Sequence, residues 1–402
     1  MSGGESVLLS PEERLKVPDR FTLIPVGPEE FRLHSLNFSL ALESTSNGLL
    51  SRLLPLLDGA RTLGEILVDL DSFGRQTVCD SIESLLKAGA IERIGPAQLD
   101  PLFVEEARRL RSQVAFFSNF VAPPGAAEKD VSRAEVPKSG LEYQQRLKQA
   151  RVAVFGVGRL GSQLIRSLAI SGVGRITAVD PQEVGEDDLN SESWFERGQG
   201  GLNRAEAAGA LCRRAHPGVE FHAQNGYERG SDMRELLAGC DVAVLCPDHF
   251  NPAEYEEFNL ATLASKTTWT SARLSGFELL IGPTVIPGET PCFRCLELRL
   301  KSNVPDHSEY VAVQEYLKIG RLRAEMLAIT PGVDLLALEV LKIITWFMPP
   351  ATYAHLYSLS LLTLQSKLHP ILKIPRCSAC GRPAMPRPTI HAWQQSTADQ
   401  IP

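Results

Sequence analysis

The chain has 402 residues, a formal net charge of −7, and 44% hydrophobic against 22% charged residues. That length suits two or three domains with ample core. No stretch approaches the ~20 apolar residues of a membrane helix, the charged start MSGGESVLLSPEERLKVPDR has no apolar export core, and the acidic balance disfavours a dedicated nucleic-acid binder. A cytoplasmic protein without membrane or nucleic-acid partners is expected.

Residues 20–95 read as a self-contained unit. FTLIPVG, EFRLHSL and FSLALES are three short strands by alternation or apolar run, punctuated by Pro28 and Asn37. Asn47 is expected to cap the helix GLLSRLLPLL, and Asp58-Gly59 to stop it. Thr62 caps LGEILVDL, with Glu65 completing a capping box. A third helix runs from Arg75 to about Ala88, with Val78, Ile82, Leu85 and Leu86 on one stripe, and IERI closes as a strand. Strands, three helices and a wing make a winged helix-turn-helix. Such folds often bind DNA, but residues 20–95 hold 7 Lys/Arg against 10 Asp/Glu, and phosphate contact needs the opposite balance. A peptide added as a strand beside the third helix fits better; packing against a neighbouring domain is the plain alternative.

Residues 101–118 look helical, and 122–140 read as a linker rich in Pro, Ala, Gly and charge. At residue 151 the pattern changes to strand, glycine turn, amphipathic helix and strand: RVAVFGVGRLGSQLIRSLAISGVGRITAVD. Gly156, Gly158 and Gly161 form GxGxxG, which permits close approach of a phosphate to a helix N-terminus, and Asp180 ends the second strand where a carboxylate can hold ribose hydroxyls. DVAVLC is a further strand, leading to Asp248 at the same sheet edge. Cys292 and Cys295 in PCFRC and Cys377 and Cys380 in CSACG have the spacing of a closed four-thiolate zinc site. Cys79, Cys212, Cys240 and Cys246 lack metal spacing, and none of the eight histidines has an obvious nucleophile partner.

Strand–GVGRLG–helix, SGVGRITAVD, the strand before Asp248 and the paired CxxC turns together resemble the ThiF/MoeB family. That family has the fold of ubiquitin-activating enzymes and adenylates carboxyl termini. The resemblance covers about residues 140–385. IGPTVIPGETPCFRCLELRL is more narrowly similar to the ThiF-like proteins of thiazole/oxazole-modified peptide clusters, which pair with a YcaO cyclodehydratase. Those proteins often carry an N-terminal winged-helix precursor-recognition element, and residues 20–95 fit it in order. The resemblance therefore implies an α/β architecture in three parts: a winged helix-turn-helix over 1–100, a helix and linker over 101–140, and a Rossmann-like ThiF domain with a zinc site over 141–402.

The resemblance also implies site residues. The family's D-x-D-x-V-x-x-x-N-L-x-R-Q aligns with DPQEVGEDDLNSES, so Asp180 is retained. The triphosphate-gripping Asn becomes Asp188 and the Arg becomes Ser191; Arg197 lies six residues on. The family lysine aligns with Arg204 and its aspartate with Asp248. Losing a phosphate-facing cation removes charge that steadies leaving pyrophosphate, so ATP turnover is not expected and the nucleotide site is read as vestigial. No cysteine lies between Cys295 and Cys377, which excludes cysteine-based transfer. The expected function is a non-catalytic partner that binds a precursor-peptide leader, through Leu40, Leu42, Val78 and Ile82, and presents it to a YcaO cyclodehydratase for azoline formation. A homodimer is a family expectation. The alternative is a peptide-adenylating enzyme resembling that of microcin C maturation.

Overall fold

The computed structural model describes residues 9–27, 30–36, 39–43, 48–94, 109–121, 137, 139–226, 231–319 and 331–381. The chain forms two units, residues 1–148 and 149–402. Among the described residues no helix is long and apolar enough to cross a membrane.

The strands of the first unit, in chain order, are β1 (Arg14–Lys16), β2 (Thr22–Pro25), β3 (Glu30–His34), β4 (Ser39–Glu43), β5 (Asp58–Thr62) and β6 (Glu92–Ile94). The three strands expected from alternation, β2, β3 and β4, form an antiparallel meander with Leu33 opposite Leu40 and Phe31 opposite Leu42. Pro28 and Asn37 lie outside the described residues. β5, β1 and β6 make a second antiparallel sheet in that order.

Three helices complete the core, α1 (Leu49–Leu53), α2 (Leu63–Asp69) and α3 (Arg75–Lys87). The first departs from expectation. Its N-cap is Gly48, at φ 80°, and Asn47 lies outside the described residues. The α-helix lasts five residues and tightens into a 3-10 turn over Leu54–Leu56, because Pro55 has no N–H to continue the ladder. Asp58-Gly59, expected as a plain stop, instead opens β5. The Thr62 capping box is present: the Glu65 amide donates to Thr62 Oγ1 at 3.3 Å and the Thr62 amide to Glu65 Oε2 at 2.8 Å. α3 turns Val78, Ile82 and Leu85 inward, onto a core shared with Leu33, Leu42, Leu53 and Ile66. Of the helix expected over 101–118, α4 (Arg111–Phe117) is seen, followed by α5 (Gly140–Gln149).

The second unit is built on an eight-stranded sheet. Its strands are β7 (Arg151–Phe155), β8 (Arg175–Val179), β9 (Glu220–Gln224), β10 (Val242–Leu245), β11 (Thr268–Ser275), β12 (Glu278–Ile281), β13 (His355–Ser360) and β14 (Ser366–Pro370). The order is β14-β13-β12-β11-β10-β7-β8-β9. β11, β10, β7, β8 and β9 run parallel, and β12, β13 and β14 add antiparallel. After the exposed Arg151, β7 is a continuous apolar run buried on both faces, as is all of β10, the pattern of central parallel strands.

Its helices are α6 (Arg159–Ile170), α7 (Glu186–Leu189), α8 (Arg204–Ala215), α9 (Ser231–Leu237), α10 (Pro252–Ser265), α11 (Phe293–Asn303), α12 (His307–Leu317) and α13 (Val333–Thr345). α6 packs on α13 and α8, while α10 packs on α9 and α11. Beneath α10, Phe155, Phe258 and Trp269 pack edge-on with centroids about 5 Å apart, in geometry that favours aromatic pairs. This core runs directly into the four cysteines.

Candidate nucleotide cleft and metal centre

The carboxyl ends of β7, β8 and β10 open onto a cleft of about 510 Å³, lined by Gly156, Asp180, Gln182, Arg204, Asp248 and Glu254 among others. This is where ligands bind on open parallel sheets. The glycine turn is tight for identifiable reasons. Gly156 has φ 86°, which an L side chain rarely adopts. A Cβ on Gly158 would lie 2.1 Å from the Asp248 carboxylate, so only glycine lets that carboxylate reach the start of α6.

Two amides of the turn are bonded to carboxylates. The Val157 amide donates to Asp180 Oδ2 at 2.7 Å and the Arg159 amide to Asp248 Oδ1 at 3.1 Å. Asp180 Oδ1 accepts a further bond from the Gln182 amide at 2.8 Å. Burial raises the Asp180 carboxyl above its ordinary pKa, even though these amides pull the other way.

Arg204, in the first turn of α8, is nearly enclosed and surrounded by acid. Its Nε and Nη2 donate to the two oxygens of Asp188, both at 3.0 Å. Its Nη1 reaches Gln182 Oε1 at 2.6 Å and Asp248 Oδ2 at 2.9 Å, with Asp180 Oδ2 at 3.6 Å. Burial opposes the guanidinium charge, but Asp248, Asp188 and Asp180 together outweigh it and hold the pKa above the arginine norm. Asn203 caps the same helix through the Ala205 amide and also donates to the Asp180 carbonyl. Ser191 turns its hydroxyl onto the Asp188 carbonyl at 3.0 Å. Neither Ser191 nor Arg197 is among the residues lining the cleft.

The opposite wall carries Glu254, near the N-terminus of α10. Burial lifts its carboxyl from 4.5 to about 7, and the charges of Asp180 and Glu257 add to the rise. No motif marks Glu254 in the sequence; its environment, rather than its neighbours in the chain, makes it unusual.

The metal centre lies on the other side of α10. Cys292 sits at the N-cap of α11 and Cys295 on its first turn, with Cys377 and Cys380 on the turn that follows β14. The four Sγ atoms lie within 4.8 Å of one another. Cys292 is 4.0 Å from Cys295 and 3.8 Å from Cys377, and Cys295 is 3.5 Å from Cys380. A tetrahedron of metal–sulfur bonds of about 2.3 Å has edges of about 3.8 Å, so the donor set can hold one metal ion. The Cys292 thiol and the Ile374 amide both donate toward Cys295 and pull its thiol down toward thiolate.

A family model described as "ThiF family" matches residues 131–380, more than half of the chain. The chain belongs to the ThiF family. Among its relatives, the vegetative protein HesA of Trichormus variabilis is 30% identical over 246 residues, covering 61% of this chain and 86% of that one. The molybdopterin-synthase adenylyltransferase of Escherichia coli is 24% identical over 244 residues, 60% and 91% of the two chains. Of solved structures, E. coli MccB with MccA-N7isoASN aligns at TM-score 0.62 and 15% identity over 92% of this chain and 99% of that one. PaaA aligns at TM-score 0.59 and 19% identity, over 77% and 96%. At those identities the structural likenesses speak for the fold.

In this ThiF-family chain the fold brings Gly156, Asp180, Arg204 and Asp248 into one cleft, with Gly158 at the N-cap of α6 and Gly161 inside its first turn, and Cys292, Cys295, Cys377 and Cys380 into one cluster. The residues expected to line a peptide groove sit differently. Val78 and Ile82 are wholly enclosed and Leu42 nearly so, while Leu40 is half-buried on the same face of β4. Gln182 and Glu254 are cleft residues the sequence did not single out.

Proposed function

We propose that this protein binds the leader of a ribosomally made precursor peptide and presents it to a YcaO-type cyclodehydratase, which itself consumes ATP and forms the azolines. The observation that carries the reading is the state of the cleft: Arg204, the one buried cation among its described lining residues, is held by Asp188, Asp248 and Asp180, and Ser191 aligns with the family's second cation. Activation of a carboxyl terminus by ATP depends on positioned positive charge at the phosphates, and here that charge is neutralised internally. The contribution left to the chain is effective concentration, since holding the leader makes delivery of the core intramolecular.

The leader docks on the first unit, read as the winged-helix recognition element. Support comes from β4, which pairs with β3 alone among the described residues and so leaves an edge for an added strand. Leu40 is the half-buried member of the expected set, and Leu42, Val78 and Ile82 lie in the core of the same unit. The cysteine cluster is assigned to structural zinc, which would tie the turn after β14 to α11.

A second reading, ATP-dependent peptide adenylation, is favoured by one observation: the MccB structures with MccA align over nearly the whole chain. Two measurements decide. A fluorescent cognate leader should bind the full chain, and insertion of proline in β4 should abolish that binding. Pyrophosphate exchange with ATP and the precursor should stay at background. Exchange at enzymatic rates transfers the assignment to adenylation, and leader binding unaffected by β4 refutes the docking site.

A further inference from the structure

The replacement of the family's Asn by Asp188 and of its Lys by Arg204 is one change rather than two. An arginine fork presents its Nε and Nη2 edge to a planar carboxylate in parallel, and Asp188 takes that edge at 3.0 Å on both bonds. The Nη1 corner is taken by Gln182 and Asp248. The guanidinium thus has no edge left for a second bidentate anion. At the start of α6 the Arg159 amide bonds Asp248 and the Val157 amide of the turn bonds Asp180; both aspartates are retained from the family pattern, so Asp188 is the carboxylate that sets this cleft apart. Lys318, a further basic side chain among the described residues of the cleft wall, pairs with Glu315 at 2.6 Å.

We propose that Asp188 is an internal plug of the nucleotide cleft: its carboxylate holds the bidentate edge of the Arg204 guanidinium that a triphosphate would need, so the cleft rejects nucleoside triphosphates until Asp188 is neutralised. The inference deepens the reading of a chain that does not consume ATP, and it rests on that reading. Asp188, rather than the glycine turn, sets what the cleft accepts. Neutralising Asp188 removes one like charge from the phosphate's path and releases the best edge of Arg204. Asparagine has nearly the same volume, and its Oδ1 can still accept the Gly185 amide that Asp188 Oδ2 accepts at 2.9 Å.

The test is calorimetric titration of the full chain with ATP and excess Mg²⁺, with pyrophosphate exchange measured on the same samples. Wild type should show no saturable binding. Asp188→Asn should bind at least about tenfold more tightly, because like charges juxtaposed at a binding site suppress the wrong ligand. Asp188→Ala, which removes the carboxylate outright, should do the same, and melting curves establish that each variant is folded. Wild type that binds MgATP as tightly as Asp188→Asn overturns the plug, as do two folded variants that both fail to gain binding. Tight wild-type binding without exchange removes the plug alone, whereas wild-type exchange removes the non-catalytic reading.

Discussion

Glu254→Gln should change how the stability of this protein depends on pH, in a calculable direction. The Glu254 carboxyl is lifted from 4.5 to about 7 by burial, with Asp180 and Glu257 as its acidic neighbours. In the folded chain it therefore keeps a proton that the unfolded chain has already lost. Between pH 4.5 and about 7 the native state binds more protons, so stability falls as pH rises through that window. At about 1.4 kcal/mol per tenfold change in proton affinity, the lift corresponds to about 3 kcal/mol. Water at the cleft mouth screens part of it, so about 2 kcal/mol is the working figure. Asp180 is also raised and adds a slope of the same sign, which is why the comparison is a difference. Urea unfolding of wild type and Glu254→Gln at half-unit steps from pH 4.5 to 8 supplies it. Glutamine should be nearly neutral at pH 4.5 and stabilising by about 2 kcal/mol at pH 8. A difference that stays flat across the window refutes the buried, proton-retaining carboxyl.

Two further outcomes follow from the packing. Metal analysis should find one zinc per chain, and Cys377→Ser should lower both occupancy and melting temperature, because the turn that carries Cys377 has only short hydrogen-bonded turns of its own; a metal-free wild type with an unchanged melting temperature would refute the site. Ile82→Ala should cost about 2–5 kcal/mol in chemical denaturation, since Ile82 is enclosed by the core of the first unit; a cost below about 1 kcal/mol would mean that the side chain faces a groove.

What was legible in the sequence was whatever local spacing encodes. GxGxxG between two apolar runs fixes a turn between a strand and a helix, and two CxxC pairs declare a cluster across 85 residues because each pair brings its own geometry. The alternation in FTLIPVG, EFRLHSL and FSLALES reported strands for the same reason. β1 and β5 escaped because RLK and DGART are short and carry charge, and only their pairing with one another and with β6 makes them strands. Helical periodicity marked Val78 and Ile82 as inward, but a core and a groove share that periodicity. The bidentate contact of Asp188 with Arg204 joins residues 16 apart through the fold. Alignment showed both substitutions, and nothing in the chain order showed that they answer each other. The raised carboxyl of Glu254 is a property of burial alone, which no spacing reports.

That mutual answer makes a last prediction, on Arg204→Lys, which restores the family's residue without restoring its partner. A lysine ammonium is a point charge with no fork. It cannot span both oxygens of Asp188 while also reaching Gln182 and Asp248, as the guanidinium does. At least one charge-assisted hydrogen bond is lost in a nearly closed site, worth about 1.5–3 kcal/mol. In a chain whose buried position 188 is instead neutral, lysine leaves less charge unpaired, so Arg204→Lys should cost less in the Asp188→Asn background. A double-mutant cycle by chemical denaturation should give a coupling of at least about 1 kcal/mol, within the range for residues in one ion-pair network. If the two changes are additive, Asp188 and Arg204 are independent substitutions and the cleft is not plugged by their pairing. If they couple, the arginine at this position holds a carboxylate of its own chain, as the proposed plug requires.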